Sequence, residues 1–173
     1  MDGIQENNKK MRLKLSIKNH LNVLKSKILA TLILFFILLI LNFDTDFIII
    51  GSLFFLITIV PAIYLHFEYF TKNFGCEIEI SDQNIIIIRK NQKIIFIKSD
   101  ITKVILYKSA NMSTGGLPLY SLEQYYYIRL VLKSNEEIII SSLLINDLNC
   151  FLSEFKGIEF ERKKRFFCSL NWK

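Results

Sequence analysis

From Ile28 to Phe67 the chain carries no lysine or arginine, and its only charges there are Asp44 and Asp46. A hairpin buried in a soluble protein needs polar stripes at helical spacing. Only Asn42, Thr31, Ser52 and Thr58 interrupt this apolar stretch, so the pattern favours lipid over water as its solvent. Histidine is nearly missing. His20 and His66 flank the apolar stretch, which leaves a Ser or Cys nucleophile elsewhere in the chain without a base. Cysteine is scarce and odd in number: Cys76, Cys150 and Cys168 have neither CxxC nor zinc-like spacing, which points to reduced thiols that fill space. Gly115 and Gly116 lack the lysine and helix that follow in a phosphate-binding loop. The expectation is no catalytic residue, no metal and no cofactor.

The apolar stretch divides into Ile28 to Phe43 and Phe47 to Phe67, which reads as a two-helix transmembrane hairpin over 28–67. Sixteen and twenty-one residues rise roughly 24 and 31 Å, and the bilayer's hydrocarbon is about 30 Å thick. Leu24 and the stems of Lys25 and Lys27 make up the shorter span. No small-residue cleavage site follows the first run, so a signal peptide is not expected. Pro61 is expected to disturb the second helix where Thr58 or a neighbour can serve the freed carbonyl, and Asp46 to cap that helix. Lys9, Lys10, Arg12, Lys14, Lys18, Lys25 and Lys27 precede the first helix and Lys72 follows the second, so both termini are expected in the cytoplasm.

Beyond the hairpin, residues 75–157 suffice for one domain of ordinary size. There the apolar period becomes two, and strands are expected at 76–80, 84–89, 93–98, 101–108, 124–133 and 136–142. Four consecutive isoleucines, Ile85 to Ile88, imply that both faces of that strand are covered. Leu148, Phe151, Leu152 and Phe155 then fall on one helical face, with Asn146 or Asp147 as the cap and Gly157 as the stop. Tyr125, Tyr126 and Tyr127 alternate across a strand, which suits packing better than base stacking, so no nucleic acid is expected.

Two stretches carry a resemblance. Phe96-Ile97-Lys98-Ser99-Asp100-Ile101-Thr102-Lys103-Val104 and Tyr127-Ile128-Arg129-Leu130-Val131-Leu132-Lys133-Ser134-Asn135-Glu136-Glu137-Ile138 resemble bacterial membrane proteins with two helices followed by a pleckstrin-homology-like (PH-like) domain. The resemblance implies an α+β chain: a transmembrane hairpin, then an antiparallel β-barrel or sandwich capped by a C-terminal helix and used for binding or scaffolding. Phosphoinositide-binding PH domains cluster basic residues around the first strand-to-strand loop. Here the corresponding loop is read as Ser81, Asp82 and Gln83, which lacks them.

The flanks leave alternatives open. Residues 1–27 form a basic cytoplasmic segment in which Met11 to Lys18 alternates like a strand, while Leu13, Ile17, Leu21 and Leu24 also share a helical face. Residues 158–173 form a basic aromatic tail or an extra strand from Ile158 to Arg162. Lys25, Lys27, Arg162, Lys163, Lys164 and Arg165 are the candidate contacts to anionic lipid, each cation contributing about 1 kcal/mol near a charged leaflet. Leu117, Pro118, Leu119 and Tyr120 form the candidate protein-docking loop. The expected function is a non-catalytic binding or scaffolding module in the bacterial inner membrane, multi-pass, contacting the bilayer and a second protein or another copy of itself. The alternative is a small accessory subunit of a transport or envelope complex, with the hairpin packed on a larger partner.

Overall fold

The computed structural model describes residues 10–90, 92–109, 124–165 and 167–171. It opens with a short strand, β1 (Met11–Lys14), and Ser16 ends the extended stretch by capping a helix, its hydroxyl accepting the Asn19 N–H at 3.2 Å. Helix α1 (Ile17–Ile40) thus starts within the stretch Met11 to Lys18, whose first half is the strand and whose end is the helix, and runs unbroken into the apolar run. Its end is a hydrogen-bonded turn. Asn42 takes the left-handed φ of 49°, and the N–H groups of Asn42 and Phe43 donate to the carbonyls of Leu39 and Leu38 at 3.1 and 2.9 Å. Both bonds occupy end-of-helix carbonyls that the helix itself leaves without a partner, and asparagine tolerates the required φ.

Asp44, rather than the expected Asp46, caps α2 (Thr45–Asn73): its carboxylate accepts the Asp46 N–H at 3.0 Å, and Asp46 adds negative charge in the first turn. The helix continues through Pro61. Thr58, expected to serve the carbonyl that Pro61 frees, donates its hydroxyl to the Phe54 carbonyl at 2.7 Å. Both helices are long and apolar enough to cross a membrane.

Gly75, at φ +67°, turns the chain from α2 into the first sheet. That sheet orders β1-β2-β3-β4, with β2 (Cys76–Ile80), β3 (Asn84–Arg89) and β4 (Gln92–Ile97), all antiparallel. The second orders β7-β6-β5-β8, with β5 (Ile101–Ser109), β6 (Tyr127–Leu132), β7 (Glu137–Ser141) and β8 (Glu159–Arg165); β8 runs parallel to β5. Helix α3 (Leu148–Ser153) lies between β7 and β8, and Asp147 caps it by accepting the Asn149 and Cys150 N–H groups at 2.9 and 3.1 Å.

Because β1 precedes the helices and pairs with β2 after them, the hairpin fills the first strand-to-strand connection. The turn Ser81 to Gln83, read from sequence as that connection, joins β2 to β3. The expected extra strand from Ile158 to Arg162 extends to Arg165, so the basic run lies within β8.

Two buried clusters follow from the alternation. Inward residues of both sheets, including Ile78, Ile80, Ile85, Val104, Leu106, Ile128, Leu130 and Ile140, pack with Phe151 and Phe155. The other face of the second sheet, with Ile105, Tyr107, Tyr125 and Tyr127, packs on Val23, Ala62, Leu65 and Tyr69 of the helices. The isoleucine run is covered on one side: Ile85 is fully buried, Ile86 to Ile88 are half-buried, and no described residue covers the neighbouring edge. In β4, Ile94, Ile95 and Ile97 are 51, 56 and 54% exposed.

Candidate functional site

The polar chemistry of the chain collects where the inner halves of α1 and α2 lie on the second sheet. His66 and Tyr69, three residues apart, share a helical face against Tyr125, whereas Glu68 points away toward the C-terminal segment. His66 joins the two helices to the sheet: its Nε2 lies 3.0 Å from His20 Nδ1, and its Nδ1 lies 3.1 Å from the Tyr125 hydroxyl. One proton per link satisfies this chain with both rings neutral. Tyr69 donates its hydroxyl to the Cys168 carbonyl at 2.7 Å. Glu68, only 7% exposed, accepts the Ser169 hydroxyl at 2.8 Å and the Asn171 N–H at 3.1 Å through one carboxylate oxygen. The C-terminal segment is therefore strapped along α2, with Phe167 stacked 6.0 Å from Tyr64.

Two amides complete the seam. Asn19 donates its side-chain N–H to the Leu143 carbonyl at 2.9 Å, and Asn73 donates to the Ser141 hydroxyl at 2.6 Å and to the Tyr69 carbonyl. Sequence periodicity offered no signal for either, since one asparagine at a helix start and one at a helix end look like solvated caps. Burial also sets the protonation of the seam. It raises the Tyr125 and Tyr127 hydroxyls above the usual tyrosine range; on the opposite side, against the inter-sheet core, it pushes Tyr126 up to about 12, with Asp147 adding to the effect. Cys168 is pushed up to about 11 by burial against an opposing pull from Arg165, and Cys76 is raised by burial. Both thiols are thereby held in the unreactive protonated form. Among the described residues, no group of three or more His, Cys, Asp or Glu side chains is placed to hold a metal ion.

The lipid-contact candidates are not brought to one surface. Lys25 lines a polar cleft beside α1, whereas Lys27 is 7% exposed and donates to the Ser26 hydroxyl at 3.0 Å. In β8 the side chains alternate. Lys163 and Arg165 lie 6.0 and 4.8 Å from the Tyr107 ring centre on the helix side, while Arg162 lies over Phe160 on the other. Leu117, Pro118, Leu119 and Tyr120, expected to dock a partner, lie outside the described residues.

Two facing sheets, antiparallel except where β8 joins β5, a short helix after the seventh strand and a site made of packing contacts define an α+β binding fold of the PH-like class. A family model described as a PH domain matches residues 12–151, and the chain belongs to that family. The matched stretch begins in β1 and ends in α3, so it encloses the hairpin. PH domains are in general non-catalytic modules that bind lipids or proteins. No curated protein and no solved structure shows a significant match to the chain.

Proposed function

We propose that the chain is a non-catalytic binding module fixed to the bacterial inner membrane, with α1 and α2 spanning the bilayer and the PH domain and both termini in the cytoplasm. The observation that carries this reading is the hairpin's exposure. Large apolar side chains from Ile28 to Ile57 stand open on every side of the helix pair, while the seam holds the inner halves against the sheet. An apolar surface of that size is not stable in water. Positive charge before α1 and the aspartates at the tip set the orientation.

A protein partner is served best by β4, a free sheet edge with three exposed isoleucines, because an extended segment can pair with its unpaired backbone. One observation favours the accessory-subunit reading instead: an apolar groove of about 420 Å³ between the helices, lined by Ala30, Leu34, Leu38, Ile50, Gly51 and Phe54. Gly51 itself faces inward, since a Cβ there would stand 3.4 Å from Leu34 Cδ1, so it offers no small-residue contact to a foreign helix.

Cysteine labelling in whole cells tests the topology. Cys150 is exposed on α3 and should react with a membrane-impermeant maleimide only after the cells are opened, while Asn42→Cys at the hairpin tip should react in intact cells. Labelling of Cys150 in intact cells, or release of the full-length chain into buffer without detergent, would overturn the proposal. Crosslinks from residues of β4 rather than from the hairpin would favour the docking edge over the subunit reading.

A further inference from the structure

One cleft lies beside the seam and shares Asn19 with it, whose amide already donates to the Leu143 carbonyl. It measures about 260 Å³ and lies between the start of α1, the chain entering β6 and the chain leaving β7. Beside Asn19, its polar lining is Asn22, Lys25, Gln124, Tyr126, Ser142 and Asn146. Ser142 is 3% exposed, and its hydroxyl has no partner, although a buried hydroxyl left unpaired costs about 1 to 3 kcal/mol. Among the described residues, the side-chain amides of Asn22, Gln124 and Asn146 and the ammonium of Lys25 are likewise uncommitted. A set of amides and two hydroxyls offers donors and acceptors together, which is what an alcohol group needs from its site. Among the described residues of the lining Lys25 is the only charged one, so the charge that fits is a single negative one.

The helix supplies a direction. Asn19, Asn22 and Lys25 follow one another at three-residue steps along α1, and the next turns on that side present Leu29 and Leu32, both exposed. Polar amides, then one cation, then open hydrocarbon is the order of a lipid read from headgroup to tail. We propose that this cleft binds the headgroup of a glycerophospholipid bearing hydroxyls and one net negative charge. Its phosphodiester sits at Lys25, its alcohol groups at Ser142 and the amides, and its acyl chains along α1. The assignment rests on the membrane-spanning reading above. A phosphomonoester or polyphosphate headgroup, with two or more negative charges, is poorly matched to one ammonium.

Native mass spectrometry of the full chain in detergent tests this, with phosphatidylglycerol, phosphatidylserine and phosphatidylcholine supplied in equal amounts. Phosphatidylglycerol should be retained over phosphatidylserine, which has the same net charge but no diol, and over phosphatidylcholine. Lys25→Gln should lower phosphatidylglycerol retention about ten-fold, and Ser142→Ala should cut its advantage over phosphatidylserine about five-fold, the effect of one neutral hydrogen bond. Asn22→Leu, at the exposed rim, should do the same without touching the core. Equal retention of the two anionic lipids by the wild type, or unchanged selectivity in folded Ser142→Ala and Asn22→Leu, would overturn the site while leaving membrane insertion intact. Soluble glycerophosphoglycerol, added in equal amount, should not displace the lipid; displacement would overturn the lipid as source in favour of a free phosphodiester. A chain that stays in solution without detergent would instead overturn the membrane reading.

Discussion

The two faces of the second sheet hold their neighbours by different physics. The face toward the first sheet is aliphatic, with Val104, Leu106, Ile128, Leu130 and Ile140, and its attraction scales with area and has no preferred direction. The face toward the helices is aromatic and polar. Tyr125 bonds His66, Leu143 accepts from Asn19, and Ser141 accepts from Asn73, so sliding or rotating α1 or α2 would strand buried hydrogen-bonding groups. Aliphatic packing is enough to build a domain. A seam of directed bonds adds something else, a fixed angle between the domain and the pair of helices that leaves it. On the proposed membrane-spanning reading, holding a cleft and a sheet edge at set positions relative to the bilayer needs the second kind of contact.

The comparison breaks most visibly in the aliphatic layer. Leu130→Ala, at a fully buried position in β6, should cost about 2 to 5 kcal/mol and unfold the domain as a unit, measured by thermal unfolding in detergent. Asn73→Ala should cost less, about 1 to 3 kcal/mol, because it strands the Ser141 hydroxyl without opening a large cavity. Its signature should be local: amide exchange should quicken at the end of α2 and along β7 while Leu130 of β6 and Val104 of β5 stay protected. A uniform loss of protection in Asn73→Ala, as large as in Leu130→Ala, would mean that seam and core form one cooperative unit and that the distinction has no energetic content.

Much of the sheet was legible because alternation shows directly in the sequence. Ile78 and Ile80 alternate with Glu77 and Glu79, and the strand bounds of β2 and β3 agree with those expected. The cap at Asp147 was equally legible, since a short acidic side chain before an apolar period has few other uses. Alternation says that a strand has two faces but not what each face meets. Tyr125 and Tyr127 read as packing residues, yet nothing local shows that their partners come from α1 and α2, brought close only by the β1 to β2 pairing. The same limit hid the cleft: Lys25 stood out in sequence as a cation near the apolar run, but Asn22, Gln124 and Ser142 are unremarkable singly, and the four form a cleft only when three separated segments converge. The free edges show a further difference. Among the edge strands, β8 is charged along most of its length, which discourages foreign pairing, whereas β4 is apolar and open. The sequence marked only the neighbouring Ile85 to Ile88 of β3 as covered, because periodicity does not reveal which strand ends a sheet.

The smallest effects, and the sharpest separation of the two regions, come from pH. Burial raises the folded-state Tyr125 hydroxyl above its ordinary 10.0, so its contribution is complete below pH 10.0 and is lost as pH rises beyond it. Tyr127, on the same face, shifts in the same direction. Alkaline titration should therefore loosen the helix side of the second sheet, with tyrosinate absorbance appearing together with exchange at β6. The first sheet responds at the other end of the scale. Lys10 first, and Arg12 after it, hold the Glu79 carboxyl below its ordinary 4.5, so that contribution is present above pH 4.5 and is lost as pH falls below it. These are surface pairs whose attraction salt screens, so the acid effect should be slight, confined to the pairing of β1 with β2, and reduced at high ionic strength. Glu79→Gln should abolish the acid step and leave the alkaline one untouched. An alkaline step that shifts in Glu79→Gln would show that the edge of the first sheet and the aromatic seam are coupled after all.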